Sequence, residues 1–179
     1  LCDFYPGSLK FSELSSIENS ILILGGGYEQ NAINSEVIFK NDIFYIQSEN
    51  LIKERFDEYY QILDETINTL SGKGNKIILL RPIPTPGVNL RMYHFVNRKY
   101  IDLDYNSFKA LNDKTQPILD RLNYQDLLII NLDSVFCNSN ICRFYSNDEY
   151  FFVDDAHLGH FGAIKVADFI MNEIYKFEN

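Results

Sequence analysis

The segment Lys76-Ile77-Ile78-Leu79-Leu80 runs directly into Arg81-Pro82-Ile83-Pro84-Thr85-Pro86. An unbroken apolar run, with no polar residue at alternate positions, belongs to a strand covered on both faces. Three closely spaced prolines forbid both a helix and a continued strand ladder, so the strand must stop at Leu80. A strand buried on both sides needs helices to cover it, and the flanking sequence supplies them. From Leu51 to Leu70, Ile52, Phe56, Tyr59, Leu63, Ile67 and Leu70 recur at helical spacing until Ser71-Gly72-Lys73-Gly74 interrupts them. Between Asp104 and Asn123 a second helical pattern appears, which Pro117 is expected to kink or split.

Further apolar runs at Ile21 to Leu24 and Leu127 to Leu132 read as buried strands, and Tyr150 to Val153 as a short one. Ile164, Ala167, Phe169, Ile170 and Ile174 mark the apolar side of a terminal helix, with Asn172, Lys176 and Glu178 on its wet side. Strand and helix alternate throughout. The expected fold is α/β: an open, mostly parallel sheet between two helical layers, as in flavodoxin-like proteins. Ligands of such sheets bind beyond the carboxyl ends of the strands. The Gly25 turn, the Pro82 turn and the loop before the last helix are therefore expected on one rim.

At 179 residues and 46% apolar content, the chain is read as one domain spanning residues 1–179. Its net charge of -9 argues against nucleic acid as a partner, because a phosphate grip needs clustered cations. No apolar run approaches the ~20 residues that span a bilayer, and no signal peptide opens the chain. Its first residue is Leu, so a fragment of a longer polypeptide is expected. Cys137 and Cys142 bracket a polar loop, read as a short disulfide in preference to two free thiols. Such a bond would place the domain outside the cytosol. No zinc-ligand spacing is present.

The densest chemistry lies in Phe151-Phe152-Val153-Asp154-Asp155-Ala156-His157-Leu158-Gly159-His160-Phe161-Gly162-Ala163. An Asp three residues before a His can accept the imidazole Nδ1 proton, set the tautomer and leave the other nitrogen as a general base. Asp154 or Asp155 could equally cap a turn, with the histidines merely exposed.

This block resembles the terminal motif of the SGNH hydrolase superfamily, whose Asp-x-x-His pair serves a serine nucleophile. The likeness is narrower for Asp154-Asp155-Ala156-His157-Leu158 followed by Gly162-Ala163. It resembles the SGNH domain fused behind the membrane part of acyltransferase-3 family O-acetylases. Gly159 stands where that family usually has Ser. Cys137 and Cys142 match a Cys pair of these domains, and Arg81-Pro82-Ile83-Pro84 is similar to their Pro-Ile-Pro segment. The block Ile21 to Tyr28 is similar to the strand whose end carries an oxyanion-side residue, a position held here by Tyr28. The family's Gly-Asp-Ser nucleophile block is absent from the sequence, and Ser8 lacks the strand that should precede such a serine. Cys2 resembles a Cys found shortly after that block. The serine and the first strand are therefore expected upstream of Leu1, leaving two unpaired edges in the sheet and poor independent stability.

The resemblance implies an extracytoplasmic O-acyltransferase domain, tethered by a fused transmembrane acyltransferase domain and passing an acyl group, usually acetyl, from a donor to a glycan acceptor. Asp154 and His157 would be its catalytic pair, and Gly26, Gly27 and Tyr28 its oxyanion side. No metal or organic cofactor is implied. A serine esterase of the same fold and a non-catalytic glycan-binding relative remain open. Of the other polar residues, Asp155 reads as a solvated neighbour of the pair and His160 as a structural residue. Arg91 and His94 read first as surface residues that could contact substrate.

Overall fold

The computed structural model describes residues 15–25, 37–40, 43–46, 49–147 and 149–178. The elements run in the order β1 (Ile21–Leu24), β2 (Val37–Lys40), β3 (Ile43–Ile46), α1 (Glu49–Ser71), β4 (Lys76–Leu80), α2 (Leu90–Asn97) and β5 (Asp102–Asp104). There follow α3 (Tyr105–Leu119), β6 (Leu127–Ile130), α4 (Asp133–Phe136), β7 (Ile141–Arg143), β8 (Tyr145–Ser146), β9 (Glu149–Tyr150) and α5 (His160–Glu178). Two compact units divide the chain.

The first unit comprises residues 1–79 and 117–129. Its sheet has the order β1-β4-β6, with β1 and β4 parallel from Ile21 opposite Lys76 to Leu24 opposite Leu79. Ile77, Ile78 and Leu79 are at most 1% exposed, as expected of a strand covered on both faces. Leu22, Ile67, Leu70, Ile77, Leu79, Leu119 and Leu122 form the core of this unit. A buried Asn75 ties the turn after α1 to the segment before β1. Its amide donates to the carbonyls of Ile17 (2.8 Å) and Leu70 (2.9 Å), while its oxygen accepts the Ser20 N–H (3.0 Å). β2 and β3 form a separate antiparallel pair.

Among the described residues β4 is paired on both sides, by β1 and by β6, which are the outer strands of this sheet. Pro117 does not split its helix. It falls in the last turn of α3, which ends at Leu119, the ring having removed a donor where the helix was about to stop.

The second unit comprises residues 80–116 and 130–179. β5 and β7 pair antiparallel, as do β8 and β9. Phe136, Phe144, Phe151 and Phe152 pack together, with Phe144 and Phe152 edge to face at a centroid distance of 5.4 Å. The buried side of α5 differs from the expected one. Gly162, Val166 and Ile174 are buried and Phe169 and Ile170 half-buried, whereas Ile164 is 48% exposed and Ala167 is exposed. The reason lies at Gly162: a Cβ there would stand 2.1 Å from the Phe151 carbonyl oxygen. That close approach turns the residues in step with Gly162 inward, and Ile164 and Ala167 fall on the other side of the helix.

Candidate active site

The loop between β9 and α5 is closed by its own backbone. Val153 N–H donates to the His157 carbonyl (2.9 Å), and Gly159 N–H to the Phe151 carbonyl (2.8 Å). Phe152 and Leu158 face each other in an isolated β-bridge. Apolar Phe152, 1% exposed, thus anchors one side of a tight turn whose polar tip is Asp154-Asp155-Ala156-His157.

Within that tip the two readings of Asp154 are met by different oxygens. Oδ1 accepts the backbone N–H groups of Ala156 (2.9 Å) and His157 (2.7 Å), as a turn-capping carboxylate does. Oδ2 lies 2.8 Å from His157 Nδ1. The Ala156 and His157 amides, and then the imidazole N–H, hold the Asp154 carboxyl down at about 2. An ionised carboxylate can only accept, so Nδ1 carries the proton and the lone pair of the neutral ring sits on Nε2. The imidazole is 81% exposed, so Nε2 is open to a reacting partner.

The neighbours take other parts. Asp155 is exposed, and its carbonyl accepts the Gly87 N–H at 3.0 Å, which ties the proline segment to the loop. His160 opens α5, its ring edge-on to Phe161 at 5.4 Å. Cys137 and Cys142 are joined in a disulfide, and Asn138 Oδ1 caps the enclosed turn by accepting from Asn140 and Ile141, both at 2.9 Å. Gly26, Gly27 and Tyr28, the expected oxyanion side, lie outside the described residues, as do Cys2 and Ser8.

Two arrangements escaped sequence reasoning. Tyr105 donates to the buried Asp133 at 2.9 Å beside a polar cavity of about 400 Å³ next to the disulfide, and burial followed by that carboxylate pushes the phenol pKa up. Tyr150 meets His94 through its hydroxyl, across 56 residues of sequence. Neither pair has a local signal, because each joins elements far apart in the chain. Among the described residues no group of three His, Cys, Asp or Glu side chains is placed to hold a metal ion, and no helix is long and apolar enough to cross a membrane.

No curated protein matches the sequence significantly. The fold is similar to the periplasmic domain of a lipopolysaccharide acetyltransferase from Salmonella ser. Paratyphi A, with a TM-score of 0.50 over 94% of this chain and 90% of that one. The two are 15% identical, so the likeness speaks to fold alone. The family model of the SGNH domain (fused to AT3 domains) matches residues 9–172, a span that takes in the sheet, the disulfide loop and the Asp154-His157 turn. The chain belongs to that SGNH family.

Proposed function

We propose that the chain is the SGNH domain, a single domain over residues 1–179, of a membrane-tethered O-acyltransferase that modifies an extracytoplasmic glycan. Asp154 and His157 act with a serine carried upstream of Leu1 in the full-length protein. The reading rests above all on the Asp154-His157 geometry: Nδ1 held by a carboxylate, and Nε2 open.

His157 Nε2 takes the serine hydroxyl proton as the serine oxygen attacks the acyl carbonyl of the donor. The imidazolium, steadied by Asp154, then protonates the donor's leaving group, and an acyl-serine remains. In the second half a glycan hydroxyl gives its proton to Nε2, its oxygen attacks the acyl-serine, and collapse returns the proton to the serine oxygen. Backbone amides at Gly26, Gly27 and Tyr28 would hold the oxyanion of each tetrahedral intermediate.

An esterase differs in one reactant, with water attacking the acyl-serine in place of the glycan. Following the acyl group in the full-length protein tests both: transfer to a glycan supports the proposal, and release as free acid alone supports the esterase. His157→Ala should abolish turnover, and near-normal turnover in that variant would remove His157 from the mechanism.

A further inference from the structure

A second concave site adjoins the same loop. α2 and β9 shape a pocket of about 220 Å³ lined by Arg91, His94, Phe95, Arg98 and Tyr150. Two of its lining side chains, His94 and Tyr150, belong to a ladder of rings. His94 hydrogen-bonds the Tyr150 hydroxyl and lies 4.3 Å from Tyr100, which in turn stacks on Tyr145 at 4.1 Å with an interplanar angle of 15°. Rings locked against one another in this way present a surface that needs little ordering when a ligand arrives.

Two guanidinium groups line the same pocket, each against one of its rings. Arg91 Cζ is 6.0 Å from the Tyr150 ring centre, and Arg98 Cζ is 5.2 Å from that of Phe95. Among the described residues neither is joined to a carboxylate, whereas Arg143, beside Tyr145, is paired with Asp102 at 3.2 Å. In a chain of net charge -9, two cations at one pocket, neither ion-paired to a carboxylate among the described residues, leave their N–H groups available to an anionic ligand. Arg98 also occupies the left-handed C-cap of α2 at φ 54°, where glycine is the unstrained choice. A bulky cation is held there against backbone preference.

Both walls of the pocket lead into the Asp154-His157 loop. Tyr150 precedes Asp154 by four residues, and Gly87, just ahead of α2, is bonded to the Asp155 carbonyl. We infer that the pocket is a subsite for a carboxylate-bearing sugar of the acceptor glycan. The apolar C–H face of the ring lies on Tyr150, and the carboxylate is held by Arg91 and Arg98, whose planar N–H forks match its two oxygens. The inference rests on the acyltransferase reading and names the class of acceptor.

Titrating the full-length protein with short oligogalacturonides, with malto-oligosaccharides as the neutral control, reads the pocket by binding alone. Saturable binding of the acidic series is expected, weakened about tenfold in Arg91→Gln and in Arg98→Gln. Arg91→Lys and Arg98→Lys should recover part of it, and melting temperatures of all four variants report whether each is folded. Equal affinity for acidic and neutral sugars, no acidic binding, or Gln variants that bind like the parent would overturn the subsite. His157→Ala separates the two claims. It should keep oligogalacturonide binding while losing transfer, so a failure of transfer chemistry at His157 leaves the arginine result to stand or fall by itself.

Discussion

One carboxylate both shapes and orients: Asp154 Oδ1 accepts the His157 backbone N–H at 2.7 Å while Oδ2 lies 2.8 Å from the Nδ1 of the same residue. Backbone and ring of His157 are therefore positioned by one side chain three residues away. Replacing it with an amide disturbs the ring more than the turn. In Asp154→Asn the amide can offer its oxygen to the backbone and present N–H to Nδ1, which favours the wrong tautomer. Acyl transfer by the full-length protein should fall about 10⁴-fold. Activity within a few-fold of the parent would show that the tautomer does not matter to the reaction.

The same carboxylate ties stability to acid. Its pKa in the folded chain, about 2, is below the ordinary 3.8, so the folded form favours the ionised group. The stabilisation is complete above 3.8 and is lost as pH falls towards about 2. Melting curves of parent and Asp154→Asn should therefore converge as pH drops through this window. A constant difference between them would place the stabilising role elsewhere.

Gly162 tests the seating of α5. A Cβ at this position would meet the Phe151 carbonyl oxygen at 2.1 Å and Leu158 Cδ2 at 2.9 Å. The oxygen belongs to backbone that also accepts the Gly159 N–H, and it has little room to retreat. Gly162→Ala should destabilise by about 1–3 kcal/mol in a urea titration. An unchanged midpoint would mean that the helix backs away freely.

Asn75 is fully buried and spends its amide on Ile17, Ser20 and Leu70. Asn75→Ala takes the partner from the Ile17 carbonyl and the Ser20 N–H and one of two donors from the Leu70 carbonyl, for an expected loss of about 3 kcal/mol. Denaturant midpoints of the two proteins measure it directly, and a loss below about 0.5 kcal/mol would imply that water enters to replace the amide.

The disulfide closes a short loop, with Cys142 only 1% exposed. Thiol reagents should leave Cys137 and Cys142 unlabelled until a reductant is added. On chain-entropy grounds, replacing both with Ser should cost about 2 kcal/mol. Ready labelling of the unreduced protein would argue against the bond.

The sequence by itself determined whatever depends on near neighbours. The strand at Ile77 to Leu80, the helix after Leu51 and the turn carrying Asp154 and His157 follow from apolar spacing, from proline and glycine, and from a three-residue separation that puts a carboxylate within reach of an imidazole. The family likeness was legible for the same reason, since its motifs are short and contiguous. Tertiary structure decided what depends on distance in the chain. It paired β1 with β4, joined β5 to β7, rotated α5 about Gly162 and brought His94 to Tyr150 over 56 intervening steps. Local patterns carry no information on such meetings. They are set by how whole elements pack, where a single close approach, like that of Gly162 to Phe151, selects one face of a helix over another.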